Sequence, residues 1–289
     1  MSHETIEDGE SKLYAERVPH DTHSTEELIE EAMNVGNQDD HAYWEPVTVL
    51  WHRGTTDVLE AASKLSGSES STERELGANI LSQLGAKPEV FHEERLTALL
   101  RMLDDEDDKN VLATVCTALG HLYDSRADGP IMQLKDHPDE DVRYSVAVGL
   151  TGDSDEAIIA TLIELSTDVD SDVRDWAIFR LGMMEEAPPE VLDALVARVA
   201  DEDEDTRAEA IAGLARKKDQ RAVEPLIECL NQLKADEDQG YDYAEGLLYE
   251  AATELADPRL CPVLLKLKSR IPVYSYLADA IEKCGCKEQ

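Results

Sequence analysis

The sequence predicts an all-α solenoid of stacked helix pairs, and three observations carry the prediction. One helix-opening pattern recurs between Asp139 and Arg216: Asp141-Val142-Arg143, Asp172-Val173-Arg174 and Asp205-Thr206-Arg207, spaced by 31 and 33 residues. Each opening continues as a one-face apolar stripe: Val142, Val146 and Leu150, then Val173, Ala177 and Leu181, then Thr206, Ala210 and Leu214. Each is followed by a second apolar helix before the next acid-rich turn. A fixed period of this size is the mark of stacked repeats. Ordering about 31 residues costs on the order of 45 kcal/mol of conformational entropy. One helix pair buries too little surface, at roughly 25 cal/mol per Å², to offset that, so each repeat must close against its neighbours.

In chain order, residues 1–24 are polar and acidic, and read as a loosely ordered leader. Ser24-Thr25-Glu26-Glu27 is a helix cap with acids in the first turn, leading to Leu28, Ile29 and Met33. Gly36 to Asp40 breaks that helix. Tyr43–Trp51 and Thr56–Leu65 read as a further pair broken at Arg53-Gly54, and Gly67 to Thr72 as a turn-rich linker. Residues 25–72 thus form an N-terminal helical segment, and 73–289 the repeat array with a C-terminal cap. In the array, Arg74–Gly85 opens a repeat whose partner helix carries Leu96, Leu99, Leu100 and Leu103. The next opening, with Val111, Val115, Leu119 and Gly120, lacks the arginine, since Leu112 takes its place. Second helices run through Ile131–Leu134, Ile159–Leu165 and Leu192–Val199, and through Val223, Leu226, Ile227 and Leu230. Asn231–Gln239 is a charged insertion, and Tyr243–Leu255 with Leu260–Leu267 forms a last pair. Asp219-Gln220-Arg221 and Asp257-Pro258-Arg259 start two of the second helices in the same way.

Composition narrows the function. Lys and Arg number 27 against 64 Asp and Glu, a formal net charge of −37, where a small soluble domain carries about 2–8. Such an excess repels phosphate backbones and anionic membranes, and favours a basic protein as partner. A surface acidified for high salt explains the same charge without a partner, and the sequence leaves both readings open. The five cysteines, Cys116, Cys229, Cys261, Cys284 and Cys286, are odd in number and scattered. They do not read as a disulfide framework and suit a reducing, cytoplasmic compartment. The start of the chain is polar and acidic, so neither a signal peptide nor a membrane span is expected.

The pattern Asp-Val-Arg-x-x-Ala-x-x-x-Leu-Gly, complete in Asp172–Gly182, resembles the HEAT repeat, most nearly the short bacterial subclass called phycobilisome-lyase-like. The resemblance covers roughly residues 74–270. It implies a right-handed α-solenoid of HEAT-like helix pairs whose second helices line the concave side. The chain is also similar to small bacterial HEAT proteins, some encoded beside Rhs-type toxin elements, for which a toxin-neutralising role has been suggested. That resemblance implies an immunity-type inhibitor holding a basic toxin domain, for instance a nuclease. The alternatives are a general adaptor or assembly scaffold and, from the repeat label alone, a bilin lyase-like chromophore-attachment factor.

Candidate residues follow from position and type. Asp141, Asp172 and Asp205, with Arg143, Arg174 and Arg207 at matching heights, are expected to form a structural ladder between repeats. The polar positions of the second helices, Glu156, Glu164, Glu190, Asp193, Glu224 and Glu228, make an acidic partner-binding surface. Tyr241, Asp242 and Tyr243 lie in the acidic insertion, where tyrosines among acids suit an Arg- or Lys-rich partner; a merely solvated loop explains them equally. The acidic turns at 104–108, 138–141, 168–172 and 201–205 read as a solvated ridge that steers a partner. They lack the glycine-bearing loop of a calcium site. HEAT-like deoxyhypusine hydroxylases hold two irons through several His-Glu pairs, whereas this chain has only His3-Glu4 and His92-Glu93. Cys284-Gly285-Cys286 has no matching ligands for a metal and reads as part of the cap. With no nucleophile–base pair or phosphate loop in view, neither catalysis nor a cofactor is expected.

Overall fold

The computed structural model describes residues 21–36, 38, 40–152, 155–233, 243–270 and 275–287. Residues 1–20, with most of the expected leader and His3-Glu4, lie outside them. So do Tyr241, Asp242 and most of the charged insertion. Among the described residues all regular structure is helical, in two compact units, residues 2–152 and 153–289.

The first unit holds α1 (Thr25–Val35), α2 (His41–Arg53), α3 (Thr56–Leu65), α4 (Ser71–Gln83), α5 (His92–Asp105), α6 (Lys109–Gly120), α7 (Asp128–Met132) and α8 (Glu140–Gly149). α1 starts on the expected box: Glu27 N–H donates to Ser24 Oγ and Ser24 N–H to Glu27 Oε2. Gly36 and Gly54 end α1 and α2 in the left-handed conformation. The turn after α4 passes through Gly85, Ala86 and Phe91, all at positive φ. Arg95 of α5, 1% exposed, staples it by donating to the carbonyls of Leu81, Ser82, Lys87 and Val90. Burial pulls this guanidinium down to about 10. Nothing in the periodicity marked it, because an arginine on an apolar stripe reads as a surface residue.

The second unit holds α9 (Glu156–Leu165), α10 (Ser171–Met183), α11 (Pro189–Arg198), α12 (Glu204–Arg216), α13 (Val223–Gln232), α14 (Tyr243–Leu255), α15 (Cys261–Lys268) and α16 (Ser275–Lys283). Short 3-10 turns, Gln220–Ala222 and Pro258–Leu260, lead into α13 and α15 behind Asp219 and Asp257, which cap them alike. The core is the stacked stripes: Val142, Val146 and Leu150, then Val173, Ala177 and Leu181, then Ala210 and Leu214, are all 0% exposed.

Within each unit the opening helices (α4, α6, α8; α10, α12, α14) pack on one another along their length, while the second helices touch their neighbours far less. The Leu-Gly that ends the repeat pattern permits this. A Cβ on Gly182 would stand 3.0 Å from the Cα of Gly213, and one on Gly120 2.9 Å from that of Gly149. Within each unit the opening helices therefore form the close-packed layer and the second helices the looser one.

The cysteines also correct an expectation. Cys261 at the start of α15 and Cys286 after α16 are joined as a disulfide, with Cα atoms 5.2 Å apart. Cys284 is buried beneath them. The pairing was invisible in the sequence because stacking of the cap, not spacing, brings the two together. Among the described residues no helix is long and apolar enough to cross a membrane.

Candidate partner-binding surface

Four of the opening helices, α6, α8, α10 and α12, start on an aspartate, which for the last three lies two residues ahead of the expected row. Asp108, Asp139, Asp170 and Asp203 accept the free N–H groups of α6, α8, α10 and α12. Asp141, Asp172 and Asp205 are second in their helices and exposed, complementing the dipole without capping.

The arginines share one geometry. Arg143 donates to the carbonyls of His137 and Pro138, Arg174 to those of Asp168 and Val169, and Arg207 to those of Asp201 and Glu202. Arg74 does the same to Ser68 and Glu69. Each arginine thus ties the acidic turn before it onto its own helix. Arg174 and Arg74 also reach the next repeat. Arg174 grips Asp201 bidentately, Nη2 to Oδ1 at 2.9 Å and Nε to Oδ2 at 3.2 Å, with side chains 8% and 4% exposed. Arg74 grips Glu106 at 2.7 and 2.8 Å. In the repeat that carries Leu112, Lys109 makes the link instead, to Asp139 at 2.6 Å. Burial alone would push the Asp201 carboxyl up, but Arg174, the Asp203 N–H and Arg198 hold it below the usual carboxylate range. Glu106, Asp139 and Asp201 thus serve as inter-repeat acids, and they come from the turns that read as a solvated ridge. The exposed acids of those turns are Asp104, Asp105, Asp107, Glu140, Glu202 and Glu204, beside the row already named.

A second clamp sits at the second-helix starts. Arg126, Arg221 and Arg259 close onto Asp124, Asp219 and Asp257, two residues before each. Arg126 also reaches Glu93, Arg221 reaches Asp193 at 2.9 Å, and Arg259 reaches Gln220. His92 Nε2 donates to Asp124 Oδ2, 2.8 Å away, so His92-Glu93 is spent on this clamp. Among the described residues no group of three or more His, Cys, Asp or Glu side chains is placed to hold a metal ion.

All six proposed surface acids are exposed: Glu156 and Glu164 on α9, Glu190 and Asp193 on α11, Glu224 and Glu228 on α13. They stand on the looser layer of the second unit, and Asp193 is tied to Arg221. Tyr243 is 37% exposed, but its hydroxyl donates inward to Glu209 Oε1, linking α14 to α12. Glu209 is 0% exposed, and its Oε2 lies 3.6 Å from Arg216 Nη1, whose Nε reaches Glu250 at 3.1 Å. Burial pushes the Glu209 carboxyl up, against the Tyr243 and Arg216 contacts that favour its charge. Beside it, Asp175 is pushed up to about 7 by burial and by Glu209, Asp205, Asp203 and Asp172.

The matches to known proteins agree with this geometry. Residues 127–205 match a model of HEAT repeats, and 206–232 a PBS lyase HEAT-like repeat. Protein YibA of Escherichia coli (strain K12) is 26% identical over 245 residues, covering 81% of this chain and 82% of its own length. The X-ray structure of the E. coli YibA protein superposes with a TM-score of 0.69 at 24% identity, covering 96% of this chain and 97% of that one. Importin beta superposes at 0.61 and 15% identity, covering 98% of this chain and 44% of its own, a likeness of fold alone. Residues 127–232 thus match HEAT-repeat models where the helix pairs are capped and arginine-clamped, and the fold is that of a HEAT-like α-solenoid.

Proposed function

We propose that the chain is a protein-binding solenoid that grips a basic partner through its second-helix carboxylates, and most specifically that it is an immunity-type inhibitor covering a cationic toxin domain. The observation that carries the reading is the set of exposed acids on α9, α11 and α13, in three successive repeats of one unit. Carboxylates in register along consecutive repeats present an extended anionic face, which speeds association with a cationic partner by roughly 10–10³-fold. A HEAT solenoid suits this role because each repeat adds surface without a central core. The toxin element of the reading comes from the resemblance to HEAT proteins encoded beside toxin genes.

Co-purification with the product of the adjoining gene is the test. A stoichiometric complex that weakens as salt rises and suppresses a toxic activity is expected. Charge reversal at Glu190, Glu224 and Glu228 together should weaken it about tenfold or more, with the helical signal intact. Unchanged affinity would remove the second helices from the interface.

A further inference from the structure

The first unit contains a cleft that the second-helix surface does not include. It has a volume of about 480 Å³ and runs across α2, α4, α6 and α8, the close-packed layer. Trp44 and Trp51 form one wall, half-buried and tilted by 41° with ring centroids 5.7 Å apart. Both indole N–H groups are committed to backbone carbonyls, Trp44 to Gln38 at 2.7 Å and Trp51 to Asn79 at 2.8 Å. The rings are thereby fixed in place, with their π surfaces as what they have left to offer. Tyr144 and Asn79 also line the space, and Asp141 brings an exposed carboxylate to it.

The electrostatics select the occupant. Among the described residues lining this cleft there is no Lys or Arg. Behind Thr114, the half-buried Glu75 carboxylate is held by two neutral groups, Thr114 and Gln38, and burial together with Asp108 pushes it up. The Asp141 carboxylate and two indoles line the space, with Glu75 just behind Thr114 and the His121 imidazole engaged by Ser82, and together they make a receptor for a cation. A lysine ammonium would satisfy the charge alone. A guanidinium also stacks its plane on an indole while its fork reaches a carboxylate. We propose that this cleft takes an arginine side chain, presented by an extended segment of the basic partner. The proposal rests on the reading of a basic partner and adds a second, sequence-selective contact to it.

Tryptophan fluorescence tests it directly, because the chain holds three tryptophans and the Trp176→Phe variant leaves only the two in the cleft. That variant is titrated with an alternating Gly-Arg peptide and with its Gly-Lys counterpart. The Arg peptide should shift the emission saturably and bind about 5–10-fold more tightly than the Lys peptide. Trp51→Leu should weaken it about tenfold. Asp141→Asn, an exposed change that leaves the fold alone, should weaken it about threefold. Equal binding of the two peptides would overturn the arginine assignment. Binding that responds to charge reversal at Glu190, Glu224 and Glu228 but not to Asp141→Asn would overturn the cleft while sparing the basic partner. Failure of both peptides to bind would sink the two readings together.

Discussion

Arg174 illustrates at the level of one residue what the repeat pattern means. It spends its fork on the turn behind it and on Asp201 in the next repeat, both partners nearly buried. Removing one member of such a pair leaves the other charge desolvated, so Arg174→Ala should cost about 3–5 kcal/mol in urea unfolding. Arg101→Ala, which loses only an exposed 4.0 Å contact with Asp105, should cost less than about 0.5 kcal/mol. Similar losses for the two would deny the clamp its structural role. Asp175 argues in the opposite direction. Its Oδ1 is buried and accepts no hydrogen bond among the described residues, and its carboxyl is pushed up to about 7. The unfolded chain releases this proton near pH 4 and the folded one near pH 7, so the folded state binds the extra proton between them. Stability from this group is therefore lost as pH rises through that window, and the loss is complete above pH 7. Asp175→Asn should raise stability at pH 8 by on the order of 2 kcal/mol and change it little at pH 4. A gain of the same size at both pH values would refute the assignment. The arginines were legible in the sequence because they recur at fixed spacing. Asp201 as acceptor was not, because stacking sets the partner and any acid of the 201–205 run fits the pattern.

At the level of the helix, legibility followed local chemistry. Tyr243–Leu255 and Thr56–Leu65 were readable as helices to the residue, since an apolar stripe and its breakers are written within the segment itself. The five-residue α7 (Asp128–Met132) was expected three residues later, as Ile131–Leu134, because so short a helix has no full stripe to mark it. The Cys261–Cys286 link and the buried Arg95 depend on contacts between elements, which a one-dimensional period does not encode. Glycine spans the two levels. Leu181-Gly182 is visible in the repeat pattern, and only the packing shows why: α10 and α12 meet backbone to backbone there. Gly213→Ala would gain about 1 kcal/mol of helix propensity, yet its Cβ would sit 2.9 Å from the Gly182 Cα, forcing two backbones apart. The expected balance is a loss of about 1–2 kcal/mol. Gly129→Ala in α7 meets nothing within 4 Å and should be neutral or stabilising by up to about 1 kcal/mol. Thermal unfolding of the two variants checks the contrast, and equal shifts would mean that the helices yield without cost.

For the whole chain the decisive quantity is the net charge of −37. Much of the acid is engaged at close range: Asp108, Asp139, Asp170 and Asp203 cap helices, and Glu106, Asp124, Asp201 and Asp219 hold arginines. Those contacts lie within a few ångströms and persist in salt, whereas the repulsion among the exposed carboxylates acts over longer distances. The Debye length falls from about 10 Å at 0.1 M to about 3 Å at 1 M, so added salt removes the repulsion first and leaves the clamps. The fold should therefore grow more stable as sodium chloride rises across that range, with a midpoint higher by several degrees. A complex with a basic partner should respond with the opposite sign, since the same screening takes away its steering and its ion pairs. Measuring both on one preparation separates two causes that composition alone merges. A surface merely acidified for high salt predicts the first effect without a salt-sensitive partner; the protein-binding reading requires both. A midpoint that falls with salt would show that the acids are arranged in mutual support with the bases, and that the net charge is a poor guide to either stability or partner.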